Sequence, residues 1–383
     1  MHSFGLRSFF LQNLLNFFKG RVWKIIVNRN IFNQILCSKR KEWLAIMRNY
    51  FGIQWHITEQ CDQRCKHCYI FNGRGLTLKE MPLEILEEIV IDLKNSAEKM
   101  KKIPIISLTG GDPLLYSHIW EFLNILKDNH ITFSILGNPF HLDSEVAQKL
   151  KELGCYNYQM SIDGLRETHD LIRKKGSFDE TLEKLDILNK AGIHTTIMTT
   201  VSKLNIEEIP KIVPIVIKAG AKNFGFARYC HNPDDLDSMV SPSEYRNFLE
   251  VMWDVFETYK DSGTRFALKD HLWKLFLYEK GLFDTSYEDN LIVDGCHCGI
   301  THMTILSNGI VYACRRCESP IGVVPKQSLY DIFFSKKLDE YRQYDKFEKC
   351  SNCELLRFCR GCPAVSKCAT GNFYSPDPQC WKE

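Results

Sequence analysis

The chain has 383 residues, 44% hydrophobic and 25% charged, enough for one large folded domain with a smaller one attached. A net charge of +2 leaves no global basic excess, so nucleic acid is not an expected partner. Sixteen cysteines in short spacings, with no secretory signal ahead of them, argue against a disulfide scaffold and for a reducing compartment, which predicts a cytoplasmic protein.

The first fifty residues differ from the rest. Nine Lys and Arg stand there against one acid, Glu42, a net of +8 that leaves −6 on the remainder. Phe9, Phe10, Leu11, Leu14, Leu15, Phe17 and Phe18 would give a helix a broad apolar face. No uninterrupted apolar run reaches the roughly eighteen residues a bilayer span needs, and no small-residue cleavage site marks a signal peptide. Residues 1–50 therefore read as a basic amphipathic arm. It is a helix that packs on the main domain, an anchor that makes the protein peripheral at a membrane surface, or a docking element for a partner protein or an acidic leader peptide.

From residue 51 onward, extended apolar runs alternate with helical patterns, the signature of repeated βα units on a parallel sheet. Strands are expected at 52–58, 103–109, 131–136, 156–162, 193–201 and 222–227, and helices at 83–99, 118–129, 144–153, 178–191, 206–219 and 243–259. Six such units predict an α/β fold, a partial (β/α)6 TIM-like barrel over 51–228. A helical bridge over 229–290, whose aromatics have core spacing, and a small cysteine-rich, cluster-binding domain over 291–383 would follow. Barrels of this kind carry their sites on the loops at the carboxyl ends of the strands. The first such loop holds Cys61, Cys65 and Cys68, spaced C-x3-C-x2-C. Iron–sulfur cubanes normally take four thiolates, so three leave one iron open, and an open metal position marks a catalytic centre. A zinc knuckle completed by His67 is the alternative. The second loop is the turn Thr109-Gly110-Gly111-Asp112-Pro113, whose glycines allow close approach of backbone to a ligand.

Together these two motifs resemble the radical S-adenosylmethionine (SAM) superfamily. The resemblance implies that Cys61, Cys65 and Cys68 hold a [4Fe–4S] cluster that cleaves SAM to a 5'-deoxyadenosyl radical. Gly110, Gly111 and Asp112 would receive the SAM ammonium, with Asp112 standing where the family usually has Glu, and Tyr69 would join the cofactor-binding residues. Ser161 at the end of the fourth strand would bond the ribose, with Asp163 as second candidate; an ordinary turn at Asp163-Gly164 is the other reading. His169, Asp170, Arg173, Thr199 and Thr200 match family positions as contacts that fix loops. Arg228, ending the sixth strand, would pair with a carboxylate of SAM or substrate or form a structural ion pair. Cys230 would donate a hydrogen atom to a substrate radical, hold the substrate, or pack as a small apolar residue.

The C-terminal ninety residues carry the second signal. Cys296 and Cys298 precede a hairpin turn at Ser307-Asn308-Gly309, then come Cys314 and Cys317, the run Cys350-x2-Cys353-x5-Cys359-x2-Cys362, Cys368 and Cys380. So small a segment needs metal ligation in place of a core. It resembles the SPASM extension of peptide-modifying radical SAM enzymes; a pair of zinc ribbons is the alternative. The resemblance implies one auxiliary [4Fe–4S] cluster on Cys296, Cys298, Cys314 and Cys362, with Cys317 as substitute for Cys296. A second would sit on Cys350, Cys353, Cys359 and Cys380, which makes three clusters in all and leaves Cys37, Cys155, Cys230, Cys317 and Cys368 free.

SPASM relatives mostly modify ribosomally made peptides by thioether formation, carbon–carbon crosslinking or epimerisation. The sulfatase-maturing branch uses an Asp just after the cysteine equivalent to Cys314, where this chain has Arg315 and Arg316, and a further branch modifies tetrapyrrole side chains. The resemblance therefore implies a peptide-modifying enzyme acting on a short, Cys-rich precursor peptide and fed by an external electron donor such as flavodoxin or ferredoxin. Tetrapyrrole side-chain modification and a non-catalytic iron–sulfur electron-transfer protein are the alternatives.

Overall fold

The computed structural model describes residues 49–70, 80–230, 239–283, 285, 292 and 294–383, so most of the basic arm lies outside the described residues. The first strand, β1 (Tyr50–Thr58), buries Phe51, Ile53, Trp55 and Ile57, the alternation a strand demands. Helix α1 (Leu83–Lys99) follows, burying Leu86, Ile89, Val90 and Leu93 at three- and four-residue spacing. The same alternation continues through β2 (Ile103–Gly110), α2 (Ile119–Asp128), β3 (Thr132–Leu136), α3 (Ser144–Glu152), β4 (Cys155–Ser161), α4 (Arg166–Ile172), α5 (Ser177–Lys190), β5 (His194–Val201), α6 (Ile209–Lys218) and β6 (Asn223–Arg228). These six strands pair in parallel in chain order, giving the expected TIM-like partial barrel.

The rest of the chain extends this sheet at both edges. After α7 (Pro242–Thr258), started by a capping box between Ser241 and Glu244, β7 (Arg265–Ala267) pairs in parallel with β6 and leads to α8 (Trp273–Glu279). On the opposite edge β8 (His302–Ile305) pairs in parallel with β1, and β9 (Ile310–Tyr312) and β10 (Pro320–Val323) complete a ten-stranded sheet. Short helices α9 (Leu329–Phe333), α10 (Lys336–Asp339) and α11 (Pro363–Thr370) follow.

The segment expected as a helical bridge thus contributes a strand, and the cysteine-rich region begins by continuing the barrel sheet. Strands of three and four residues carry no period to read. The aromatics of α8 are core as anticipated: Trp273 and Phe276 are fully buried, and Trp273 lies 5.9 Å from Phe256. Among the described residues no helix is long and apolar enough to cross a membrane.

Candidate active site

The carboxyl ends of the strands open on a cavity of about 800 Å³, and both sequence motifs stand on its wall. Parallel pairing of β1 with β2 sets Thr58 beside Gly110, which brings the Gly-Gly turn against the cysteine loop. Gly111 N–H donates to the Thr58 carbonyl at 2.8 Å and Asp112 N–H to the Gln60 carbonyl at 2.7 Å. A Cβ on Gly111 would stand 2.0 Å from the Gln60 carbonyl oxygen, and Gly110 has a φ of +132°. These glycines are therefore required, whatever ligand binds, by the approach of one loop's backbone to the other's. Glu80, which the sequence reading missed, clamps the same junction by accepting from Thr58 Oγ1 at 3.2 Å, Gln60 Nε2 at 3.0 Å and Ser117 Oγ at 2.5 Å.

Side chains from distant barrel loops hold the thiols. Cys61 Sγ accepts from Gln63 N–H at 3.4 Å and from Asn138 Nδ2 at 3.3 Å, and Arg173 Nη1 approaches Cys65 Sγ at 3.8 Å. Arg173 is itself fixed, its Nε donating to Asp163 Oδ2 at 2.5 Å, while Asp163 Oδ1 accepts from Thr200 N–H at 2.8 Å. Burial works to raise the Asp163 carboxyl, but the Arg173 guanidinium and the Thr200 N–H outweigh it and hold it below the usual carboxylate range. His67 Nε2 sits 3.4 Å from that carboxylate, and burial pushes the imidazole down to about 4, so it is neutral. The expectation that Asp163 reaches a ribose meets a physical obstacle, since protein donors occupy both its oxygens; it braces the cysteine loop through Arg173. Ser161 does line the cavity. His169 accepts from Asp163 N–H at 3.0 Å and bonds Ser177 Oγ at 2.6 Å, a loop-fixing contact of the kind expected.

Asp112 is fully buried. Its Oδ1 accepts from Leu114 N–H at 3.3 Å, but among the described residues no well-formed hydrogen bond reaches Oδ2, and burial pushes the carboxyl up to about 7 against the Leu114 and Asn138 backbone N–H groups. A buried carboxylate oxygen without a donor is costly. Beside a three-thiol loop, an ammonium ligand would satisfy it, which fits the cluster and SAM to the residues present. Tyr69, the residue after Cys68, also lines the cavity, with the Arg315 guanidinium 5.7 Å from its ring centre.

Arg228 does other work than a substrate contact. Its Nε donates to Asp270 Oδ2 at 2.9 Å, Nη1 and Nη2 grip both oxygens of Asp377 at 2.6 and 2.8 Å, and Nη1 reaches Gln379 Oε1 at 2.8 Å. The guanidinium is spent on protein carboxylates, tying the end of β6 to the C-terminal tail. Asp377 carries the tie onward by accepting from Cys362 N–H at 2.7 Å.

The later cysteines form two groups. Cys317 and Cys362 pack with Cys230, Cys314 and Cys368 around Ala364 and Val365. Thiol contacts join Cys230 to Cys368, Cys314 to Cys317 and Cys296 to Cys298. Cys230, Cys296, Cys314 and Cys362 all line the cavity. The Cys230 thiol is pushed well up by its contact with Cys368 and then by burial; Cys368, a cysteine that the resemblance left without a ligand role, is its neighbour. In the other group, Cys350 is pushed up to about 12 by burial first and then by Cys380 and Cys353. Cys359 is raised by burial, with Cys350 and Cys380 adding to it.

A barrel with an open-sided three-cysteine loop, facing a second set of thiols across a cavity, defines the class. A radical SAM superfamily model matches residues 55–213 and a SPASM iron–sulfur cluster-binding domain model matches 296–354, so the chain carries a radical SAM domain followed by a SPASM domain. SAM and iron–sulfur clusters are the cofactors of these domains. Among its relatives, the AdoMet-dependent heme synthase of Methanosarcina barkeri is 28% identical, covering 86% of this chain and 95% of that protein. The mycofactocin maturase MftC of Mycolicibacterium smegmatis is 25% identical, covering 86% and 82%. The solved structure of native anSMEcpe with bound AdoMet shares the fold with a TM-score of 0.67 at 19% identity, covering 84% of this chain and 93% of that one.

Proposed function

We propose that this enzyme cleaves SAM reductively and removes a hydrogen atom from a substrate held in the cavity. The orphaned Oδ2 of Asp112, near Cys61 and directly after the Gly110-Gly111 stretch of the cavity wall, carries this reading. When bound, the cluster and SAM supply a 5'-deoxyadenosyl radical. The three thiolates hold the cluster, with Asn138 and Arg173 orienting two of them. Asp112 accepts the SAM ammonium, Ser161 bonds the ribose, and Tyr69 closes the wall. Cys296, Cys298, Cys314 and Cys362 would ligate one auxiliary cluster, and Cys350, Cys353, Cys359 and Cys380 the other.

The substrate of the first reading is a ribosomally made precursor peptide. Similarity to MftC and to the sporulation killing factor maturation protein SkfB of Bacillus subtilis supports it. A tetrapyrrole side chain is the second reading, supported by similarity to heme synthases over 86% of the chain. The test common to both is 5'-deoxyadenosine formation from SAM and dithionite by the iron-loaded protein. A protein with a full complement of iron and no such product is an electron-transfer protein instead.

A further inference from the structure

The cavity wall is cationic, and its cations are unequally employed. Asp270 and Asp294 are acids of this wall, and each is already paired, Asp270 with Arg228 at 2.9 Å and Asp294 with Lys274 at 2.9 Å. Arg316 donates from Nη1 to Cys362 Sγ at 3.4 Å and from Nη2 to the Arg228 carbonyl, so its charge serves the thiols. Arg173 is committed to Asp163. Lys269, in the loop between β7 and α8, and Arg315, in the loop after β9, have no carboxylate partner among the described residues, although both line the cavity. Arg315 stands 5.7 Å from the centre of the Tyr69 ring.

Unpaired like charges facing one cavity repel each other and disfavour their own charged forms. Lys269 is open to the cavity, and Arg315 and Arg316 stand near enough to work against its ammonium. An anion entering the cavity would relieve that repulsion. A planar guanidinium suits a carboxylate through two parallel hydrogen bonds, and an ammonium adds a point charge. The two groups come from separate elements fixed to opposite edges of the sheet, so their spacing is set by the fold before a ligand arrives. A cavity of about 800 Å³ is also of small-molecule size.

We propose that Lys269 and Arg315 form a receptor for a carboxylate of the substrate, and that this carboxylate is the propionate of a tetrapyrrole. The proposal rests on the reading of the cavity as the seat of SAM chemistry and decides between its two substrates. Arg315 occupies the position next to Cys314 where the sulfatase-maturing branch carries an acid, so the charge offered to substrate is reversed.

The experiment is a titration of the cluster-loaded protein, followed by porphyrin absorbance, with Fe-coproporphyrin III and with its tetramethyl ester. SAM affinity is measured in parallel. The free acid should bind, and the ester about tenfold more weakly or less well still. Lys269→Gln and Arg315→Ala should each weaken the acid about tenfold, Arg315→Lys should recover part of the loss, and SAM should bind all variants as it binds the parent, which also reports that they are folded. Equal binding of acid and ester, or of parent and variants, overturns the receptor. Failure of either porphyrin to bind while SAM still binds overturns the tetrapyrrole assignment alone. Loss of SAM affinity in the variants assigns the pair to the SAM carboxylate and overturns the proposal as well. A parent that fails to bind SAM would instead break the underlying reading.

Discussion

The cysteine loop after β1 and the cysteine-rich region after β9 both gather thiols, and they hold them by different means. In the first, support comes from far along the chain: Asn138, 77 positions away, donates to Cys61, and Arg173, 108 positions away, reaches Cys65. The barrel shapes this loop whether or not metal is present. In the second, the thiols touch one another, and the helix that carries Cys368 buries only Pro363, Ala364, Val365 and Ser366. Leu329, Ile332, Leu338, Phe347 and Phe358 of that region are buried in the common core, so ligation adds rigidity at the thiols themselves, where side chains meet sulfur instead of packing on apolar surface.

The largest expected effect separates the two regions directly. Cys61→Ala, Cys65→Ala and Cys68→Ala combined should abolish SAM cleavage while the protein stays folded. Iron should fall from about twelve to about eight atoms per chain, at four per cubane. A parent protein that reconstitutes to only about four would refute the auxiliary clusters. Stripping all metal should then expose the loops that carry Cys314, Cys317, Cys353 and Cys359 to protease well before the barrel is cut. Equal protection of both regions would erase the contrast.

Arg228 joins the regions, and breaking it should come next in size. Arg228→Ala leaves Asp270 and Asp377 buried without their cation, and losing one partner of a buried pair costs about 3–5 kcal/mol. Thermal unfolding should show the loss, and Asp377→Ala combined with it should add less than its own single effect. Additive losses would mean that the two groups do not act as a unit.

The junction inside the first region can be strained on its own. A methyl group on Gly111 meets the Gln60 carbonyl at 2.0 Å, so Gly111→Ala must push the two loops apart. Overpacking of this kind costs about 1–3 kcal/mol. SAM affinity should fall along with stability, whereas Gly176→Ala, where a Cβ meets nothing within 4 Å, should leave SAM affinity alone.

Much of this was legible in the sequence for reasons of spacing. Cys61, Cys65 and Cys68 are neighbours in the chain, and the six barrel strands are long enough to show alternation. What stayed hidden was everything set by pairing at long range. β8 joins β1 across some 250 positions with four residues, and Arg228 finds Asp377 across 149. Asp163 read as a second ribose candidate or a turn residue, because its partners, Arg173 and Thr200, arrive from other loops. Lys269 stood in a segment read as core, and only the fold brings it to the cavity beside Arg315.

The smallest expected effect concerns Asp112 and depends on the sign of its titration. Its folded value of about 7 lies above the ordinary 3.8, so the fold favours the protonated carboxyl, and the ligand-free protein loses stability from this group as pH rises from about 4 through about 7. An ammonium ligand needs the opposite form. Below about pH 7 SAM must displace a proton to bind, so its affinity should rise about tenfold between about pH 6 and pH 8 and then level off. Calorimetry in buffers of different ionisation enthalpy should count up to one proton released at the acid end and none at the alkaline end. Asp112→Asn, which keeps the shape and removes the titration, should bind SAM more weakly and without that slope. A slope that survives the substitution would move the proton to another group and take from Asp112 the role that its unpartnered oxygen suggests.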